Sequence, residues 1–148
     1  LDNNKRASSR ILKKTWGINP HPDLATAFAE IDSNETSSER RKRFNSLTKI
    51  KSEHYETKLL IAELAIGDED FPAARRAVKE LTSINPTVRS LALMAAIEKG
   101  EGAEEKTIRA WLNKALTASR GPQWVCEKCS NIHSIWQPRC ENCESESC

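Results

Sequence analysis

The sequence predicts an all-α protein made of short repeated helices, with a small four-cysteine knuckle at its C-terminus. Three observations predict it. Between about residues 4 and 118 the apolar residues recur at helical spacing with almost no β-rich run, the pattern returns when the chain is slid against itself by 34 positions, and all five cysteines lie between positions 126 and 148.

The helical segments expected are 4–16, 22–31, 37–50, 55–66, 71–83, 88–99 and 103–118. Each break has a physical cause. Gly17 and Pro20 stop the first segment, Gly67 follows the fourth, Pro86 separates the fifth from the sixth, and Gly100 with Gly102 opens the turn before the seventh. Ser119-Arg120-Gly121-Pro122 then ends the last helix, and the composition changes to Trp, Cys and polar residues. The expected division is therefore a helical body over 1–120 and a metal-binding knuckle over 121–148.

The 34-residue shift lays Phe44 on Val78, Leu47 on Leu81, Ile50 on Ile84 and Phe28 on Ala62. Ile18-Asn19-Pro20 recurs as Ile84-Asn85-Pro86, two periods on to within about two residues. Thirty-four is the tetratricopeptide period, and the middle copy resembles that repeat: Ala62 at the small position, Phe71 at the turn, Ala74 opening the second helix and Pro86 closing it. The copies are degenerate. Ser52 stands where proline is expected, Lys58 replaces a large apolar residue, and the last pair, around Ala96 and Ala115, is expected to need a short insertion. An irregular bundle would bury the same residues. A tetratricopeptide-like solenoid would in addition leave a concave face on the first helix of each pair, with Glu56, Leu59 and Glu63 towards the groove and Ile61, Leu64 and Ala65 towards neighbouring helices.

Cys126-x2-Cys129-x10-Cys140-x2-Cys143 is the chemistry-bearing constellation. Each Cys-x2-Cys folds into a tight knuckle aiming two sulfurs at one ion, and the ten-residue span lets the two pairs complete a tetrahedron, as in zinc-ribbon and rubredoxin-like domains. The cofactor expected is zinc, though the same four thiolates hold iron as well. The competing readings are local disulfides, a redox dithiol pair and free thiols; a redox pair normally starts a helix of a βαβ unit, which is absent here. His133 is expected to be a bystander and Cys148 to have no role. Four thiolates leave no open position, so the site reads as structural.

No serine–histidine–aspartate grouping, Gly-rich phosphate loop or His-Glu-x2-His motif is present, so no enzyme is expected. The net charge of +2, from 23 basic and 21 acidic residues, selects no polyanionic partner. Arg40-Arg41-Lys42-Arg43 and Asp68-Glu69-Asp70 are expected to be a solvated face and a solvated turn, Trp16 and Trp111 to be packing residues, and Trp124 with Trp136 to shield the sulfurs or dock the knuckle on the last helix. No window approaches the roughly 18 apolar residues of a membrane span. These residues are expected to be soluble, and the start at Leu1 suggests upstream sequence that carries any anchor.

With these motifs in place, nearly the whole chain resembles the C-terminal half of the HemY family of alphaproteobacteria. The residues that carry the likeness are His21-Pro22-Asp23-Leu24 after Ile-Asn-Pro, the body from Leu59 to Pro86, Trp111-Leu112-Asn113-Lys114-Ala115-Leu116, Gly121-Pro122-Gln123-Trp124-Val125-Cys126 and Cys140-Glu141-Asn142-Cys143. The resemblance implies a membrane-anchored tetratricopeptide protein on the cytoplasmic side of the bacterial inner membrane, linked by name to haem (porphyrin) biosynthesis. The plan is also similar to the LapB family of lipopolysaccharide-assembly adaptors, which joins such repeats to a rubredoxin-like knuckle. Glycine usually follows each knuckle there, whereas Ser130 and Glu144 stand here. A shorter likeness, Trp124 with the four cysteines, is to the Ran-binding-protein zinc finger, which implies single-stranded RNA or ubiquitin as ligand. The reading carried forward is a non-enzymatic adaptor for a protein partner, with no nucleic acid expected.

Overall fold

A computed structural model describes residues 2–121, 123–133 and 136–146. Seven helices occupy the body: α1 Asp2–Ile18, α2 Pro22–Glu30, α3 Ser37–Thr48, α4 Tyr55–Gly67, α5 Phe71–Ile84, α6 Val88–Gly100 and α7 Glu105–Leu116. Two short strands, β1 Trp124–Val125 and β2 Ile132–His133, pair antiparallel beyond them, Trp124 opposite His133 and Val125 opposite Ile132.

The repeat is visible in the helix starts. First helices α2, α4 and α6 begin at 22, 55 and 88, and second helices α3, α5 and α7 at 37, 71 and 105, in steps of 33 and 34. No insertion is needed in the last pair, contrary to the sequence expectation. Ala96 faces outward, and the neighbouring Ala95 and Ile97 take the buried positions. Consecutive helices pack on one another from α3 to α7, and first helices also pack on first helices, α2 on α4 and α4 on α6. This is a helical-repeat stack.

Helix starts are set by side-chain caps. Thr36 and Glu39 form a reciprocal capping box at α3, Thr87 and Ser90 one at α6, and Asp70 caps α5 through the Ala73 N–H. At α2 and α4 the cap is a histidine: His21 Nδ1 accepts from the Asp23 N–H and His54 Nδ1 from the Glu56 N–H, both at 3.1 Å. Both Ile-Asn-Pro tripeptides lie at the same place in the fold. Each isoleucine ends the helix that precedes a first helix, α1 before α2 and α5 before α6, and the cap follows three residues later. Being terminal, Ile18 and Ile84 are exposed, whereas Ile50, which aligns with Ile84, packs against the core.

Two hydrophobic clusters make the core. One joins Trp16, Ala25, Phe28, Phe44, Leu47 and Leu60; the other joins Leu59, Ala62, Ala65, Ala74, Val78, Leu81, Met94 and Ile97, with Phe71 and Trp111 at its edge. Helix α4 supplies both. It is apolar on most of its circumference because both faces are covered. Trp16 is fully buried and its indole N–H donates to the Thr57 hydroxyl at 3.2 Å, a packing role as expected. Lys58 reaches Glu53 and Glu80 at the surface.

The two charged runs lie at the surface, where Lys42 and Glu69 are exposed as expected, and their other members pair. Arg41 meets Asp68 at 3.1 Å and Asp70 at 2.9 Å, while Arg40 and Arg43 both hold Glu35. Arg43 also donates to the Phe28 and Ala29 carbonyls at the end of α2 and lies over the Phe28 and Phe44 rings, 4.8 and 5.2 Å from their centroids.

Candidate metal centre

The two Cys-x2-Cys segments fold into equivalent turns. In the first, the Ser130 N–H donates to the Cys126 carbonyl at 2.8 Å and the Cys126 N–H to the Asn131 carbonyl at 2.9 Å; in the second, Glu144 donates to Cys140 and Cys140 to Ser145, both at 2.8 Å. Ser130 and Glu144 hold φ of 58° and 56°, the left-handed turn that glycine usually supplies. The turn therefore forms without glycine.

This local symmetry brings four sulfurs together. Cys126 Sγ lies 3.6 Å from Cys143 Sγ and Cys129 Sγ 3.5 Å from Cys140 Sγ, and all four sulfurs lie within 4.8 Å of one another. Sulfurs about 2.3 Å from a tetrahedral ion stand about 3.8 Å apart, so the cluster has the size of a zinc or iron tetrathiolate and is far too open for a disulfide of about 2.05 Å. Cys126 and Cys140 are buried, and Cys129 and Cys143 half-buried. The donor set, four thiols from two matched knuckles, fits a soft or borderline divalent ion.

Hydrogen bonds bias the thiols unevenly. The Cys129 N–H, helped by the Lys128 N–H, draws the Cys126 thiol down to about 6 against burial. The Asn142 side chain and then the Asn131 N–H lower that of Cys129. For Cys143 the Ser145 N–H acts downwards, but burial and the three neighbouring thiols outweigh it and push that thiol up to about 12. Thiolates crowded together resist ionising as a set, and a divalent cation among them reverses that balance.

His133 lies outside the sulfur group, on β2 opposite Trp124. It is buried, and its Nε2 has no partner among the described residues. Cys148 lies outside the described residues. Trp124 docks on the body at the loop before α2, its ring centroid 4.7 Å from that of His21, and not on the last helix. Trp136 is about half exposed.

The proposed partner-binding residues surround a second feature. A cleft of about 510 Å³ opens where α2, α4 and α6 begin, walled by Pro20 and His21, by His54, Glu56 and Leu59, by Asn85, Thr87 and Arg89, and by Arg120 and Trp124 of the segment leading into the knuckle. Leu59 belongs to the core as well as to the cleft. Glu63 lines a neighbouring hollow of about 300 Å³. Arg89 ties the carboxylates together, 2.5 Å from Glu56 and 2.7 Å from Glu63. Burial opposes its charge, but the two carboxylates hold it above the ordinary arginine value. Sequence reasoning missed Arg89, His21 and His54. The two histidines stand directly before helix starts, a weak sign of a cap in a residue that seldom serves as one.

The fold and the sulfur cluster together define a helical-repeat protein with a C-terminal four-cysteine site suited to a metal ion. Comparisons of the chain with protein-family models, curated proteins and solved structures find no match.

Proposed function

We propose that the chain is a non-enzymatic protein–protein adaptor whose knuckle holds a structural metal, zinc or iron. The convergence of four cysteine sulfurs from two matched turns carries the metal part of this reading. Filled by four thiolates, the ion has no position left for water or substrate.

The cleft is the docking surface in this reading, with Glu56 and Leu59 in its wall and Glu63 beside it. Its uncommitted polar groups favour a partner rich in acceptors. Each capping histidine accepts at Nδ1, which leaves the proton on Nε2, and neither Nε2 has a partner among the described residues. Arg120 likewise has no ion pair among them, whereas the carboxylate of Glu56 is engaged by Arg89. An extended segment presenting carbonyl or carboxylate oxygens suits such a wall.

The resemblance to the HemY family supports a membrane-anchored parent on the cytoplasmic side of the bacterial inner membrane, serving haem biosynthesis as a scaffold. No helix among the described residues is long and apolar enough to cross a membrane. An RNA-reading finger is less favoured. Trp124, on which a base would stack, is half-buried and in ring contact with His21, and Glu127, Glu141, Glu144 and Glu146 crowd the site against Lys128 and Arg139.

Elemental analysis tests the metal: one ion per chain is expected, lost in Cys140→Ser, and a protein purified without chelator yet free of stoichiometric metal overturns the reading. For the adaptor, the purified chain serves as bait beside an Arg120→Glu, His54→Asn variant. A partner retained by the first and released by the second supports the cleft, and one retained equally by both removes it.

A further inference from the structure

We propose that the knuckle gates the cleft: while the metal is held, Trp124 stands against His21 as the cleft's fourth wall, and when the metal leaves, that wall opens. The proposal rests on the metal reading of the four cysteines.

Three walls of the cleft are capped helix starts within the packed body, and the fourth is not helical. After α7 ends at Leu116 the chain attaches at Ser119, whose carbonyl accepts from the Val88 N–H at 2.9 Å. It then turns at Gly121, at φ 81° beside Thr87, and reaches Trp124. Ser119 is therefore anchored to α6 by backbone hydrogen bonding, and the described contacts that place Trp124 are its pairing with His133 and its tilted ring contact with His21.

A ribbon of two residues per strand has no stability of its own in water, and a segment this short buries too little to fold unaided. Cys126, two residues beyond Trp124, is buried and is one of the four clustered sulfurs. The metal thus supplies the free energy that fixes the ribbon, and through it the position of Trp124. Without it the wall loosens beyond Gly121 while Ser119 stays on α6. By linkage, an occupant that touches Trp124 also tightens metal binding by the same factor that the metal tightens the occupant.

Hydrogen–deuterium exchange on the full chain tests this, comparing zinc-loaded protein, the same protein after chelation, and two zinc-loaded variants. Trp124→Ala removes the wall. His21→Ser keeps a capping oxygen for α2 and removes the ring that Trp124 rests on, without touching the knuckle. Chelation is expected to raise exchange several-fold at amides 23–26, 120, 121 and 123–125 and to leave the middle of α4 to α6 unchanged. In His21→Ser, amides 23–26 should exchange at the chelated rate from the start, with one zinc still bound per chain. One zinc per chain with exchange at 23–26 indifferent to chelation and to both variants overturns the gate alone. A chain that binds neither zinc nor iron overturns the metal reading, and the gate with it.

Discussion

Ser130 and Glu144 carry a left-handed backbone on ordinary side chains, at the same point of two matched turns. Glycine adopts that conformation with no steric penalty, while an L-residue there gives up part of what the turn gains. Replacing either by glycine should stabilise its knuckle by about 0.5–1 kcal/mol, or about two- to fivefold in metal affinity, once the greater freedom of glycine in the unfolded chain is offset. Competitive chelator titration of Ser130→Gly and Glu144→Gly checks it, and weaker binding by both would contradict the steric account. At Gly100 the opposite holds. A methyl group there would overlap the ring of Phe71, so Gly100→Ala should lower stability by about 1–3 kcal/mol through overpacking, although alanine is the better helix former. Thermal unfolding reads the sign directly.

Among the elements, the turn from α2 to α3 is held by charge. Arg43 satisfies the last carbonyls of α2, stacks on two phenylalanines and pairs with Glu35, whose side chain is only 7% exposed. The Arg43 hydrogen bond, with Arg40 beside it, holds the Glu35 carboxyl below its ordinary range. A carboxyl depressed in the folded state stabilises fully above the unfolded value of about 4.3, and that stabilisation is lost as pH falls through the folded value. Glu35→Gln should therefore flatten the fall in melting temperature between neutral pH and about pH 3. An unchanged acid profile would show that Glu35 does not contribute. Arg43→Ala should cost about 2 kcal/mol or more, since it strands a nearly buried carboxylate and removes a cation from two rings. The helices were legible to within about two residues because their caps, prolines and periodicity are local signals. The pairing of Arg41 with Asp68 and Asp70 was not, because 27 and 29 positions separate residues that only the stacking of α3 on α4 brings together.

At the scale of the molecule the two cores are complete without the knuckle. Among the described residues no buried or packed member of either cluster lies beyond Trp111 and all seven helices end by Leu116, and every cysteine follows in the sequence. The 34-residue period and the cysteine spacing made the body and the sulfur site readable as separate units. Trp124 was legible as a docking residue but the place where it docks was not, since His21 and Trp124 meet in a ring contact across 103 positions. That separation predicts how the chain responds to metal removal. Structural zinc contributes on the order of 10 kcal/mol to a small thiolate domain, so the knuckle should unfold when the ion is chelated. The helical body loses only the contacts of Trp124 and the segment before it. Far-ultraviolet circular dichroism at 222 nm should therefore stay nearly constant through a chelator titration, and the main melting transition should move by only a few degrees. Proteolysis should meanwhile begin to cut between residues 123 and 146. Loss of the helical signal in step with metal release would mean that the knuckle is part of the folding unit and that the two cores do not suffice.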